Sequence, residues 1–197
     1  MARGRPRTFS DDVLLAAARS ALVDHGYHEV TMDEIARRAG TSKQTLYARY
    51  EDKAGLVTEC VRQDCAAMAD HLRSSYREVR GRSLHTQVRA GMFAVAEFAA
   101  LEPERFQLVM QVDWPEKFTT LERLQAELAD EIAASFTAGF PDIDPRRAVD
   151  LSALLVSLGW RTALQADGSG ADRVAELAGL ATGLTMHGLA GLLTASE

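Results

Sequence analysis

An all-α fold is predicted for this 197-residue chain by three observations. Apolar residues recur at three- and four-residue steps over most of its length, helix caps and breakers separate those stretches, and no alternating segment reads as a strand. Hydrophobic residues make up 47% and charged residues 25%, ordinary globular usage that excludes a disordered or fibrous chain. No apolar run approaches the roughly 18–20 residues of a membrane-spanning helix. With no apolar leader at the N-terminus, a cytoplasmic protein without a membrane partner is expected.

The elements follow in order. Residues 1–8 read as a basic arm, in which Arg3, Arg5 and Arg7 alternate with Gly4 and Pro6 and so favour extended chain. A first helix is expected behind Ser10 as N-cap, with Asp11 and Asp12 suited to its dipole and Gly26 as its end. In "TMDEIARRAG", Thr31 and Glu34 have the spacing of a capping box and Gly40 that of a left-handed C-cap. "TSKQTLYARY" follows at once with Thr41 or Ser42 as its N-cap, so two short helices meet at a tight glycine turn. A long helix is expected from Lys53 to about Val79, then helices near 84–101, 104–113, 117–139, 146–166 and 172–194. Pro103, Pro115, Pro141–Pro145 and Gly168–Gly170 mark the breaks. Cys60 and Cys65 fall on different faces of the long helix, which suits small core residues rather than a local disulfide.

Charge is uneven along the chain. Residues 1–50 carry eight Lys and Arg against six Asp and Glu, a balance of +2 within a total of −6, which leaves −8 for the rest. A basic front on an acidic body fits a nucleic-acid module joined to something else. The paired short helices have the form of a helix-turn-helix, whose second helix can enter the DNA major groove. Ile35 and Leu46 suit its seam, while Lys43, Gln44 and Thr45 are residue types that read base edges. Thr31, Tyr47, Tyr50 and Lys53 suit phosphate contacts, and the arm suits an adjacent minor groove.

The stretch "AAARSALVDHGYHEVTMDEIARRAGTSKQTLYARYEDKAGL" resembles the DNA-binding domain of the TetR family of bacterial transcriptional regulators. Ala17, Leu22, Gly26, Tyr27, Thr31, Ile35, Ala36, Ala39, Gly40, Ser42, Thr45, Leu46, Tyr47, Tyr50, Lys53 and Leu56 carry the resemblance, about a third of the chain being covered. It implies a three-helix DNA-binding domain at 9–53 and a helical ligand-binding and dimerisation domain at 54–197. The positions it implies at operator DNA are Thr31, Ser42, Thr45, Tyr47 and Lys53; with the residue reading, the expected set adds Arg3, Arg5, Arg7, Thr41, Lys43, Gln44, Arg49 and Tyr50. This chain departs from the family at Gln44, Ala48 and Arg49, where Gly, His and an aromatic are usual. Arg49 is expected to replace the phosphate contact of the missing His, and Gln44 to give the chain its own base preference.

The resemblance also implies a homodimer, here through helices 146–166 and 172–194, and a small-molecule effector in the body. Gly179, Gly183 and Gly191 in the last helix fit close helix–helix approach, because each costs about 1 kcal/mol against Ala in a helix interior. Phe93, Met110, Trp114, Phe118 and Trp160 are candidate pocket walls. Glu97 and Arg161, charged within apolar stretches, are expected to pair with each other or to meet a polar ligand group. The histidines and cysteines show no metal-ligand spacing and no catalytic set stands out, so neither an enzyme nor a cofactor is expected. The function expected is a ligand-responsive regulator, most simply a repressor released from a near-palindromic operator. The alternatives are a constitutive or activating regulator with no inducer, and a ligand-modifying body beside a vestigial DNA domain.

Overall fold

The computed structural model describes residues 10–139, 142–166 and 171–194. Among them are nine helices and no strand: α1 (Asp11–Glu29), α2 (Met32–Ala39), α3 (Lys43–Tyr50), α4 (Lys53–Glu78), α5 (Leu84–Leu101), α6 (Pro103–Met110), α7 (Lys117–Gly139), α8 (Pro145–Ala166) and α9 (Ala171–Thr194). Each expected helix is present, and the ends move by three residues or fewer. The arm with Arg3, Arg5 and Arg7, and the break at Gly168–Gly170, lie outside the described residues.

Local chemistry explains most of these boundaries. Gly26 adopts φ 76°, a backbone state that glycine enters without steric cost, and the chain bends there before a last turn to Glu29. Ser10 occupies the N-cap of α1 but makes no side-chain cap bond. Thr31 Oγ1 accepts the Glu34 N–H at 3.2 Å, yet the Glu34 carboxylate binds Arg37 and Arg38 instead of reaching back, so only half of the expected box forms. Gly40 ends α2 at φ 66°. Of the two candidate caps for α3, Ser42 takes the role, its hydroxyl accepting the Thr45 N–H at 3.2 Å.

Two cores divide the molecule, and α4 belongs to both. Leu56, Val57, Cys60 and Val61 pack with Leu14, Leu22, Ile35 and Leu46 of α1–α3. Further along α4, Met68, Ala69 and Leu72 join α5–α9 around Val95, Phe106, Leu128 and Trp160. Leu108 and Trp114, from α6 and the segment after it, enter the first core. The body thus touches the N-terminal domain through α6 as well as through α4. Burial pushes the Cys60 thiol up to about 12 and the Cys65 thiol to about 11, and both are free.

Candidate functional site

The glycine turn at Gly40 sets α2 and α3 so that α3 buries only Leu46. The rest of that short helix is available for contact. Ser42, Lys43, Gln44, Tyr47 and Arg49 are exposed, with Thr41, Thr45 and Tyr50 half-buried beside them and Thr31 exposed at the start of α2. Gln44 and Tyr47 make no side-chain bond among the described residues. Lys43 Nζ lies 2.7 Å from Asp33, an exposed pair that an incoming phosphate can displace at little cost. Arg49 pairs with Asp11 at the start of α1, and Tyr50 donates to the same carboxylate at 3.2 Å. The structure therefore brings the expected residues of 31–50 onto one surface, with Arg49 and Tyr50 braced against α1.

Lys53 stands apart from that group. Its ammonium turns inward, donating to the carbonyls of Tyr27 at 2.8 Å and Val30 at 3.1 Å, and it lies 4.6 Å from the Tyr27 ring centroid. Two of its three donors close the frayed end of α1, where unpaired carbonyls attract a cation. It is placed as a strut between α4 and α1.

The expected pocket residues do not share one cavity: Trp114 lines one cleft and Trp160 a separate narrow slot. Trp114 is buried in the N-terminal core and donates Nε1–H to the Leu108 carbonyl at 3.0 Å. Phe118 is 76% exposed, so it stands in solvent instead of walling a cavity. Phe93 is half-buried under the Arg89 guanidinium, and Met110 packs against the body core. Glu97 was expected to be buried, but its side chain is 57% exposed and its carboxylate lies 3.3 Å from His71 Nε2 without hydrogen-bond geometry. Arg161 is also exposed, so the expected Glu97–Arg161 pair does not form. Trp160 is buried with its indole N–H unpartnered. The body does hold two large clefts, of about 570 Å³ and 750 Å³, both between α4 and α7.

A buried ionic cluster joins the two parts of the molecule. Asp64, on α4, is fully buried and receives Arg19 of α1 through two bonds of 2.6 Å and 2.5 Å. Arg105 of α6 adds a third at 3.0 Å. The sequence held a signal for it: Arg19 shares the apolar stripe of Leu15, Ala18 and Leu22, and Asp64 that of Cys60, Val61 and Met68. Opposite charges on two inward-facing stripes call for one another.

Comparison with known proteins agrees with this geometry. Residues 14–60 match the family "Bacterial regulatory proteins, tetR family". The HTH-type transcriptional activator FasR of Mycolicibacterium smegmatis is 30% identical over 109 residues, 55% of this chain and 49% of that protein. The chain thus spans about half the length of this curated relative. A TetR-like transcriptional regulator from Rhodococcus sp. RHA1 superimposes with a TM-score of 0.77 at 23% identity, covering 95% of this chain and 99% of the other. The regulator FadR from Bacillus subtilis, solved in complex with stearoyl-CoA, gives 0.69 at 13% identity over 89% and 97%. These likenesses in structure show a shared fold. Residues 14–60 thus carry the match to the tetR family of bacterial regulatory proteins, and the all-helical architecture throughout is the fold of the TetR-like regulator from Rhodococcus.

Proposed function

We propose that this protein is a homodimeric DNA-binding transcriptional regulator whose operator affinity is set by a small molecule in the helical body. The observation that carries the reading is α3, which spends one residue on the core and turns Lys43, Gln44 and Tyr47 outward beside Thr31 and Ser42. Side chains of these types on a helix of this length suit a major groove, with base edges read by Gln44 and phosphates held around it. The arm at residues 1–8 adds three arginines for the neighbouring minor groove.

The last two helices support the dimer. Leu154, Leu180 and Leu184 are each more than 60% exposed on α8 and α9. A Cβ at Gly179, Gly183 or Gly188 would meet nothing within 4 Å among the described residues, so no packing between them calls for glycine there. A second copy approaching closely gives these positions a reason. Two recognition helices about 34 Å apart then fit successive major grooves.

In the simplest form the ligand-free dimer represses, and the ligand selects a dimer shape that no longer fits the operator. A coupling of about 1–3 kcal/mol would change operator affinity some 5–150-fold. Activation is the second reading, favoured by the Mycolicibacterium relative, which is named an activator and matches beyond the N-terminal domain.

Selection of genomic fragments by the purified protein, followed by sequencing, tests the proposal. Enrichment of a near-palindrome is the expected result, and deletion of residues 1–7 should weaken binding and flatten its salt dependence. No enriched site, with or without candidate ligands, would overturn the regulator reading.

A further inference from the structure

The cleft of about 750 Å³ lies where the end of α4 and the turn after it face α7. Arg73, Arg77, Arg80 and Arg82 line it against two carboxylates, Asp70 and Glu131. Arg73 is committed to both of these, at 3.6 Å to Asp70 and 2.9 Å to Glu131. The guanidinium groups of Arg77, Arg80 and Arg82 make no ion pair among the described residues. Gly81, at φ 78°, turns the chain between the last two, and both line the same cleft. A local excess of positive charge on a body that is otherwise acidic marks a place for an anion. Three unpaired forks exceed what one carboxylate neutralises, and they match the several oxygens of phosphate groups.

The floor of the cleft leads elsewhere. Tyr76, Leu128 and Ile132 line it and also line a narrow apolar slot of about 30 Å³, which runs between Leu72, Met92, Val95, Val156 and Trp160. As it stands the slot holds about one water-sized volume. Tyr76 separates the two spaces. Its hydroxyl rests against Gly91, where any Cβ would collide with it, and makes no hydrogen bond among the described residues. The ring is seated by packing alone, with no polar latch to break when it swings aside.

We propose that the arginine cleft and the slot behind Tyr76 form one site for an amphiphile, a single aliphatic chain joined to a phosphate-bearing head. The head lies on Arg77, Arg80 and Arg82, and the chain enters the body core where the Tyr76 ring now stands. This inference rests on the ligand-responsive reading above and names the chemical class of its effector.

Calorimetric titration of the full-length protein tests it with four probes: dodecanoyl-CoA, dodecyl phosphate, dodecanoate and CoA. The two probes that combine chain and phosphate should each bind at least tenfold more tightly than dodecanoate or CoA, and the stronger of the two identifies the source of the head. The exposed triple variant Arg77→Gln/Arg80→Gln/Arg82→Gln should lose at least tenfold for both. Tyr76→Ala, which removes the gate, should bind dodecanoyl-CoA several-fold more tightly, a gain that a merely structural Tyr76 would not give. Absence of binding by both phosphate amphiphiles, or equal affinities for the wild type and the arginine variant, overturns the proposal. Operator binding by the same preparations is measured separately. If it is intact while no amphiphile binds, this inference alone falls, and if it is absent throughout, the regulator reading falls.

Discussion

Gln44 stands on the outer face of α3 with no side-chain bond among the described residues, whereas Lys53, nine positions further along the chain, has its charge consumed by two carbonyls. The difference separates reading from bracing. Replacing Gln44 by Ala is expected to cost about 1–3 kcal/mol at one operator base pair and to relax preference there, measured by titrating a panel of single-base operator variants. An equal loss on every variant would remove Gln44 from base reading. Lys53→Met should instead lower unfolding stability by about 1–3 kcal/mol, because the carbonyls of Tyr27 and Val30 lose their donor. Its salt slope for DNA binding should stay unchanged, and a slope reduced by about one would show that Lys53 contacts phosphate after all. Glu34 offers a pH test. Bonds from Arg37 and then Arg38 hold its carboxyl at about 2, below its ordinary 4.5. A depressed carboxyl stabilises the fold above its unfolded value, and that contribution is lost as pH falls from about 4.5 towards 2. A carboxyl-carbon NMR titration should place the native midpoint near 2, and Arg37→Gln should move it back towards the ordinary value.

At the scale of the helix, α4 shows both what a sequence discloses and what it withholds. Its span and apolar stripe are legible because period and caps are local, and the same holds for the turn at Gly40 and the polar face of α3. What the charged residues of α4 and α5 do is not local. Glu97 looked buried because apolar residues flank it in sequence, yet it falls on the narrow solvent stripe that Arg89, Phe93 and Ala100 also follow around α5. Asp64 has polar or charged neighbours on its N-terminal side in Arg62 and Gln63, yet it falls on the inward stripe with Cys60, Val61 and Met68. Angular position, not neighbouring composition, separates them. The candidate pocket walls are scattered for a related reason, since aromatic type says nothing about which of two cores a residue joins: Trp114 joins the N-terminal core and lines the cleft of about 570 Å³, whereas Trp160 joins the body and lines the slot behind Tyr76. Asp64→Ala leaves Arg19 buried without its carboxylate and should destabilise the protein by about 3–5 kcal/mol in urea unfolding. Replacing Arg19, Asp64 and Arg105 together by Leu, Leu and Met should restore most of that stability, because the cost lies in the unpaired charge.

Across the whole molecule the same cluster has a second consequence, because Arg19, Asp64 and Arg105 come from α1, α4 and α6 and tie the N-terminal domain to the body at one buried carboxylate. A shift of α4 or α6 at an occupied effector site has to carry α1 with it or break bonds of 2.5–3.0 Å. In a dimer that motion becomes a change in the separation of two recognition helices, so the regulator reading depends on α8 and α9 forming the interface. The doubly charged variant Leu180→Glu/Leu184→Glu tests it at two exposed positions, where a folded monomer has nothing to lose. Sedimentation should change from dimer to monomer while helicity and melting of each chain are retained. Operator affinity should then fall about 100-fold or more, since two linked half-site contacts gain 10²–10⁴ over one by effective concentration alone. Binding to an isolated half-site should be unaffected, because α2 and α3 pack through Ile35, Ala39 and Leu46 into the N-terminal core, to which α8 and α9 contribute none of the described residues. An intact dimer in the variant would move the interface off this face. Gly179, Gly183 and Gly188 would then again cost about 1 kcal/mol each with nothing packed against them. The three glycines and the two leucines therefore stand or fall together, and one sedimentation run decides between them.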